Sequence, residues 1–190
     1  MSIALVECPG DFPLRVRVRR RDAFSDVRIR PTHYGIVPEV VDNHTVEFLV
    51  DEYSHRKISV EFDDDRATNL FLICNIPDRE KPSVDDPSVI YYGPGEHREG
   101  KVVLKQGQTL YVDYGAVLYA AVEIQGSDCR IAGHGIITGA ELPHTGTQWA
   151  SGELLIECNK DRSPGRRNLV IEDVTLLIQQ RLLYGYLPIA

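Results

Sequence analysis

Short apolar segments separated by turn-forming residues dominate the chain between residues 91 and 139. Each segment is followed within a few residues by Gly, Asp, Asn or Gln. This pattern is typical of strands joined by tight turns, and no long helix fits there. The predicted strands are Val102–Leu104, Leu110–Val112, Val117–Tyr119, Val122–Ile124, Cys129–Ile131 and Ile136–Thr138.

The predicted strands repeat with a period near 20 residues. Leu110–Val112 aligns with Cys129–Ile131 and then with Leu169–Ile171, at successive offsets of 19 and 40 residues. About three strands per repeat at this period indicate a β-solenoid, in which each coil covers the next. A second series in the same phase consists of Val102/Leu104, Val122/Ile124 and Leu154/Ile156, the last delayed by a polar insertion from Ala140 to Gly152.

Alternation along the strands predicts which side chains enter the core of the solenoid, because residues i and i+2 share a face. The predicted core residues are Leu110, Val112, Cys129, Ile131, Leu169 and Ile171. Glycines are expected where the chain bends sharply and a side chain would be in the way. These glycines are Gly115, Gly126, Gly133, Gly135 and Gly139.

Residues 1–76 show a different pattern, with strict alternation of apolar and polar residues in several short strands. Such strands predict a small antiparallel β-sandwich. They are Leu14–Arg19, Thr45–Val50, Lys57–Phe62 and Asn69–Cys74. Residues 77–88 are polar, contain three prolines and are predicted to link the sandwich to a solenoid domain over residues 89–190. The predicted fold class is all-β.

The composition limits the partners of the chain. Its 190 residues carry a formal net charge of −7, with a pI of about 5.4. This acidic balance argues against a nucleic-acid partner, because such proteins are normally basic. The apolar run Ile3–Val6 has no cationic lead-in and is too short for a signal peptide or a membrane span. We therefore expect a cytoplasmic protein without a nucleic-acid or membrane partner.

The cysteines and histidines do not form a metal-binding pattern, and we predict neither a metal nor a cofactor. The cysteines lie far apart without a Cys-x-x-Cys pair, which argues against a zinc site or a disulfide framework. Cys129 and Cys158 lie in apolar strands and are predicted to be buried thiols. The four cysteines are Cys8, Cys74, Cys129 and Cys158, and the histidines considered, which lack i, i+2 or i, i+4 spacing, are His97, His134 and His144.

Three motifs in the sandwich have both a functional and a structural interpretation. Asp63–Asp65 offers oxygen ligands for calcium but lacks the alternating spacing of a calcium loop, so a turn is favoured. His33–Gly35 is predicted to be a packed loop. A group of arginines could bind an anionic polymer, although a solvated strand face is favoured in an acidic chain. The group comprises Arg15, Arg17, Arg19, Arg20 and Arg21.

Several phrases of the second domain form a characteristic series. They are Tyr91–His97 (YYGPGEH), Val102–Leu104, Gly107–Tyr111, Gly115–Leu118, Ile131–Gly139 (IAGHGIITG) and Arg167–Thr175 (RNLVIEDVT). This series resembles the opening coils of polygalacturonase-type glycosidases, glycoside hydrolase family 28. The chain departs from the family pattern at Tyr114, where the family has a glycine, and at Thr138, where it has an aspartate. The resemblance covers residues 89 to 178 and implies the first two to three coils of a right-handed parallel β-helix of the pectin-lyase-like fold. The preceding sandwich is similar to the N-terminal domain of bacterial members.

The resemblance implies inverting hydrolysis of α-linked polysaccharides or their oligomers by aspartates on successive coils. In the family these lie in an Asn-x-Asp phrase and an Asp-Asp pair, followed by Gly-His-Gly and Arg-x-Lys, and the chain does not contain these motifs in order. Gly133–Gly135 copies the Gly-His-Gly letters, but we expect a turn with an exposed histidine. Asp85–Asp86 lies in the predicted linker. We nominate no catalytic residue.

Other chemical interpretations are no better supported. Glu153 and Glu157 are too far apart along one strand to act as a carboxyl pair, while Glu172 and Asp173 point to opposite faces. A Gly-x-Ser-x-Gly nucleophile motif is absent from the sequence. Tyr111 and Tyr119 alternate with core positions and are expected to face outward. Aromatic side chains there could stack on sugar rings, although plain surface packing is favoured. The aromatic residues considered are Tyr91, Tyr92, Tyr111, Tyr114, Tyr119 and Trp149.

The last residues are apolar, and three interpretations remain open. They could form a cap over the end of the β-helix, follow a frameshift, or drive self-association through the open helix end. They are Leu182, Leu183, Tyr184, Tyr186, Leu187 and Ile189. The resemblance favours the N-terminal part of a carbohydrate-active glycoside hydrolase that is catalytically incomplete as it stands. The alternative is a non-catalytic β-helix module that binds a carbohydrate or another partner.

Overall fold

The computed structural model describes residues 2–8, 10, 12–142, 155–158 and 166–177. The chain divides into two compact units, Met1–Arg79 and Glu80–Ala190. In the described ranges the only helical elements are two short 3-10 turns, Thr32–Tyr34 and Tyr53–His55. All other regular elements there are strands, so the predicted all-β fold class is confirmed.

The first unit is a β-sandwich of two sheets. One sheet has the order β1-β7-β6-β3 and the other the order β2-β5-β4. Its strands are β1 (Ser2–Glu7), β2 (Leu14–Arg19), β3 (Val27–Arg30), β4 (Glu39–Asp42), β5 (Thr45–Val50), β6 (Lys57–Phe62) and β7 (Asp65–Asn75). The sequence pattern missed β1, β3 and β4, and the pairing of β1 with β7 is parallel rather than antiparallel.

A single apolar core lies between the two sheets of the sandwich. Alternate residues of β5 and β6 contribute to it, as their sequence pattern predicts. The buried residues of these two strands are Val46, Phe48, Val50, Ile58, Val60 and Phe62. Arg15, Arg17 and Arg19 occupy the opposite face of β2 and are exposed, as expected for a solvated strand face.

The second unit is a right-handed parallel β-helix. Two parallel sheets form its walls, one with the order β15-β12-β10-β8 and the other containing β9, β11, β13, β14 and β16. The strands occupy three successive coils and begin a fourth. They are β8 (Val89–Tyr92), β9 (Gly95–Leu104), β10 (Thr109–Val112), β11 (Ala116–Ile124), β12 (Arg130–Ala132), β13 (Ile136–Thr138), β14 (Ile156–Cys158), β15 (Val170–Ile171) and β16 (Thr175–Leu177).

The core of the β-helix matches the predicted inward positions in the first three coils. Leu110, Val112, Cys129 and Ile131 are all buried. Leu169 is partly buried, whereas Ile171 is 48% exposed, because β15 is the outermost strand of its sheet in the described ranges. The prediction that Cys158 is buried is also wrong, since its thiol is exposed at the end of β14.

The register between coils differs from the predicted alignment by two residues. Leu110 pairs with Ile131, which in turn pairs with Ile171, so the first offset is 21 residues rather than 19. Val122 likewise pairs with Ile156 rather than with residue 154. A slip of two residues preserves the side of the sheet that each side chain faces. The inward residues could therefore be predicted although their exact partners could not.

β11 is one continuous strand where the sequence pattern predicted two. It pairs along its whole length with β9, with a register shift between Tyr119 and Ala120. Glu99 of β9 has no register partner in β11, and such an extra residue forms a bulge. The third coil differs from the first two, because residues 139–155 separate β13 from β14.

Two glycines lie where neighbouring coils approach closely. A Cβ atom on Gly126 would lie 2.1 Å from the Gln106 nitrogen, and one on Gly133 would lie 2.1 Å from the Val112 oxygen. Gly133 also has a φ of +112°, a conformation that side chains disfavour. These two corners of the coil therefore require glycine.

Candidate functional site

The carboxylate of Asp113 is the centre of a polar cluster at the end of β10. Lys81 Nζ lies 2.5 Å from Asp113 Oδ2, and the Tyr91 hydroxyl donates a hydrogen bond to the same oxygen. The amide of Tyr114 donates to Oδ1 over 2.9 Å. Both carboxylate oxygens are therefore occupied.

The electrostatics of this cluster favour an ionised Asp113. Partial burial raises the pKa of Asp113, but the hydrogen bonds from Lys81, Tyr91 and the Tyr114 amide outweigh it and leave the pKa below its usual range. The hydrogen bond to Asp113 in turn raises the pKa of Lys81 and of Tyr91. Because it accepts several hydrogen bonds and stays charged, Asp113 is suited to holding the chain around Lys81 against the coil.

The aromatic side chains that the structure describes are mostly covered by neighbouring side chains. Tyr111 faces away from the core but is only 1% exposed, and its ring stacks on Tyr91 with centroids 5.8 Å apart. Tyr119 lies beneath the guanidinium of Arg98, 4.6 Å from its ring centroid. Tyr114 is 37% exposed, and Trp149 lies outside the described residues. Tyr111 therefore faces outward as predicted, but its ring is covered and does not offer a surface to a sugar.

A pair of carboxylates lies on the outer face of the other sheet. Glu123 of β11 is in register with Glu157 of β14 on the adjacent coil. Neighbouring strands of a sheet lie about 4.8 Å apart, so these side chains leave the sheet side by side. The Glu123 carboxylate forms an ion pair with Lys101 and accepts a 2.7 Å hydrogen bond from Gln125 Nε2.

The chemistry of this pair is that of hydrogen-bond acceptors beside a cation. The Glu123 side chain is only 12% exposed and forms its ion pair with Lys101 at this face. A carboxylate offers about four acceptor positions and can therefore accept several hydrogen bonds at once. Carboxylates and an ammonium group on one face can bind the hydroxyl groups of a sugar.

The sequence reasoning missed this pair. It compared Glu157 with residue 153, which lies outside the described residues, and Glu172 with Asp173. In the structure the Glu172 carboxylate is bonded to Arg130 Nε over 2.6 Å. The repeat in the sequence could have revealed the pair. Glu123 lies between Val122 and Ile124, and it aligns with Glu157 once the alignment of the coils is shifted by two residues.

The histidines differ from expectation at one position. His134 is only 6% exposed, so the prediction of an exposed histidine is wrong. The flanking glycines hold the turn against the preceding coil, with the Gly135 amide 2.9 Å from Val112 O, which leaves little solvent access. His97 Nε2 lies 2.7 Å from Gly93 O, and His144 is outside the described residues. In the ranges that the structure describes, no group of three His, Cys, Asp or Glu side chains could hold a metal ion.

In the sandwich, Asp63 and Asp64 form the turn between β6 and β7. Their φ values are +56° and +55°, as in a two-residue hairpin turn of type I′. Asp63 Oδ1 accepts hydrogen bonds from the Ser25 amide (2.7 Å), the Ser25 hydroxyl (2.9 Å) and the Asp26 amide (3.1 Å). The interpretation of this acidic run as a turn is therefore confirmed.

The arginines of the first unit have two kinds of surroundings. Arg15 and Arg17 both form ion pairs with Glu47 on the neighbouring strand. Arg19 and Arg21 instead line an open cleft of about 450 Å³ with Arg20 and His44. The solvated strand face accounts for the first pair of arginines and leaves the second pair available to a ligand.

No family model matches the chain, and no curated protein matches it. Among solved structures the chain is similar to Dex49A from Penicillium minioluteum, with a TM-score of 0.52 and 16% sequence identity. The alignment covers 83% of this chain and 38% of Dex49A, so the chain spans less than half the length of that protein. At this identity the similarity shows the fold. Within the described ranges, no helix has the length and apolar character needed to cross a bilayer.

Proposed function

We propose that the chain forms the N-terminal sandwich and first β-helix coils of a carbohydrate-active glycoside hydrolase that acts on a polysaccharide or oligosaccharide. The observation that carries this proposal is the β-helix fold shared with Dex49A, a dextranase. The phrases Tyr91–His97 and Ile131–Gly139 add support for a polygalacturonase-like enzyme that hydrolyses α-linkages with inversion.

In this proposal the outer face around Glu123 and Glu157 contacts the sugar. The register places these side chains on adjacent coils, and Lys101 supplies a cation beside them. A sugar ring spans about one strand spacing, so hydroxyl groups of one residue can donate to both carboxylates. The acid–base aspartates of this proposal lie on coils other than those that the structure describes, so we expect the described coils to bind sugar without hydrolysing it.

The test is polysaccharide binding together with release of reducing ends. The purified chain is mixed with dextran and with polygalacturonate, and binding is measured by affinity electrophoresis. We expect binding without hydrolysis, and we expect Glu157→Gln to weaken the binding about tenfold through loss of a charge-assisted hydrogen bond. Glu96→Gln is the matched control, because Glu96 is an acid on the neighbouring strand β9 whose carboxylate is exposed and paired with Arg98.

Each outcome decides one part of the proposal. Absence of binding to every polysaccharide contradicts a carbohydrate-active protein. Equal loss in Glu157→Gln and Glu96→Gln contradicts the location of the sugar contact. Release of reducing ends that disappears in Glu157→Gln shows that the chain is catalytic by itself and refutes the assignment of catalysis to further coils.

The alternative is a non-catalytic β-helix module that binds a carbohydrate or another partner. It is favoured by the bonding of Asp113, an acid beside aromatic rings, because both of its carboxylate oxygens already have partners within the chain. The coding sequence after the Ala190 codon separates the two functions. Coils of about 20 residues with an Asn-x-Asp phrase and an Asp-Asp pair there support the hydrolase, and their absence from every forward frame supports the module.

A further inference from the structure

A cleft in the sandwich is lined entirely by basic residues, although the chain as a whole is acidic. Its lining residues are Arg19, Arg20, Arg21 and His44, and its volume is about 450 Å³. The formal net charge of the chain is −7, so the cleft is a local exception to the overall charge.

The backbone fixes the position of this cleft. Arg19 is the last residue of β2 and pairs in register with Thr45, the first residue of β5. Immediately beyond this pair, the Arg20 amide donates to the His44 carbonyl over 2.8 Å. The arginine segment therefore lies against the turn between β4 and β5, and the histidine is part of that turn.

Arg20 is the anchored member of the cleft. Its guanidinium lies 3.2 Å from Asp63 Oδ2 and 5.3 Å from the ring centroid of Phe62, and only 24% of its side chain is exposed. This arrangement orients the group and neutralises part of its charge. Asp42, on the same hairpin, accepts a 2.7 Å hydrogen bond from the His44 amide.

Arg19 and Arg21 differ from the other arginines of this segment. Both are exposed, and neither forms an ion pair with any residue that the structure describes. Arg15 and Arg17, four and two positions before Arg19 on the same strand, share the carboxylate of Glu47. The chain thus neutralises one pair of arginines and leaves the other pair beside an oriented guanidinium.

We propose that this cleft binds the anionic groups of a polysaccharide, namely carboxylates or sulfates carried on its sugars. The planar guanidinium presents paired donors that match such oxyanions, and three of them converge here. The inference rests on the proposed function. Many ligands carry negative charge, and we choose a glycan because the proposed function is action on a polysaccharide. It adds a second contact on the sandwich, separate from the Glu123 and Glu157 face of the β-helix.

The experiment compares polymers that share one backbone and differ in charge. Binding of the full chain is measured for dextran, carboxymethyl dextran and dextran sulfate at low and high salt. We expect tighter binding of at least one charged polymer than of dextran, by about tenfold, and loss of this preference at high salt. The carboxymethyl and sulfate polymers distinguish the two sources of negative charge.

Two double variants remove the same charge from the same segment. In Arg19→Gln/Arg21→Gln we expect the preference for the charged polymer to fall about tenfold. In Arg15→Gln/Arg17→Gln we expect it to change less than about twofold, because those arginines already face Glu47. Circular dichroism and thermal unfolding of both variants establish that the sandwich is intact.

Two results overturn the inference. One is equal binding of charged and neutral dextran by the unmodified chain. The other is an equal loss in the two double variants, which indicates general charge attraction rather than a site. Neither result affects the proposed function, which is tested by neutral dextran and by Glu157→Gln.

Discussion

Single residues determine how closely neighbouring coils approach. Gly126 permits contact with the backbone at Gln106, and Asp113 draws in Lys81 and Tyr91. The glycine acts through the absence of a side chain, and the aspartate acts through its charge. Both effects are local, so substitutions test them separately.

Gly126→Ala is expected to lower the free energy of unfolding by about 3 kcal/mol, because its Cβ would overlap backbone atoms that cannot rotate away. Gly93→Ala is the matched control. Neither glycine has a positive φ, and a Cβ on Gly93 makes an ordinary 3.4 Å contact with Tyr91. Urea unfolding measures both variants, and a similar loss in the two would contradict the proposed close approach.

Asp113→Asn is expected to cost about 1–3 kcal/mol at pH 7, since it removes the charge that Lys81 and Tyr91 share. The folded pKa of Asp113 is lowered, so its stabilisation is complete above the unfolded pKa near 3.9 and is lost as pH falls through the folded value. The difference from the unmodified chain should therefore narrow below about pH 4. Asp64→Asn, at an exposed turn, is the control, and a pH-independent difference would contradict the assignment.

At the scale of secondary-structure elements, the position of a residue within a turn decides which contacts it makes. The turn between β6 and β7 holds two aspartates with nearly equal φ values but different contacts. Asp63 bonds to the Ser25 segment, whereas Asp64 forms an exposed ion pair with Arg28 at 3.5 Å. Position within the turn, rather than residue type, decides their roles.

Asp63→Ala is expected to destabilise the sandwich more than Asp64→Ala. Both substitutions place alanine at a positive φ, so this cost is common to them. Only the first also leaves the Ser25 and Asp26 amides without their acceptor. The midpoints of urea unfolding provide the comparison, and equal midpoints would show that the Asp63 bonds contribute nothing.

Alternation predicted the inward residues of the coils but not their partners. Leu110 and Ile131 were expected in the core because side-chain direction repeats every two residues. Their pairing was missed because coil length changes at the turns, where hydrophobic pattern carries no information. Tyr111 and His134 were misplaced for a related reason, since burial outside the core depends on which segment covers them. The Glu123 and Glu157 pair was hidden by the long separation of their strands.

On the scale of the whole molecule, the chain is two units with separate apolar cores. The described coils end in β15 and β16, where Val170, Ile171 and Leu176 are 44%, 48% and 41% exposed. Exposed apolar residues on outer strands favour pairing with another chain. Self-association through the helix end stays a prediction, and we propose these exposed residues as the place to test it.

Ile171→Lys/Leu176→Lys is expected to weaken self-association about tenfold, because charged residues on outer strands oppose edge-to-edge pairing. Sedimentation velocity over a range of protein concentrations measures the effect. Val84→Lys is the control, since Val84 is 56% exposed but lies outside the strands. Unchanged association in the double variant would place the contact elsewhere.

The length of the segment between β13 and β14 has a consequence for the evolution of the protein. Val102 to Val122 spans 20 residues, whereas Val122 to its partner Ile156 spans 34, and yet the register continues. Extra length between β13 and β14 leaves the pairing of both strands with β11 unchanged. Evolution can therefore change the length of this connection without shifting the coils, and homologous genes are expected to differ in length there while their coils remain superimposable.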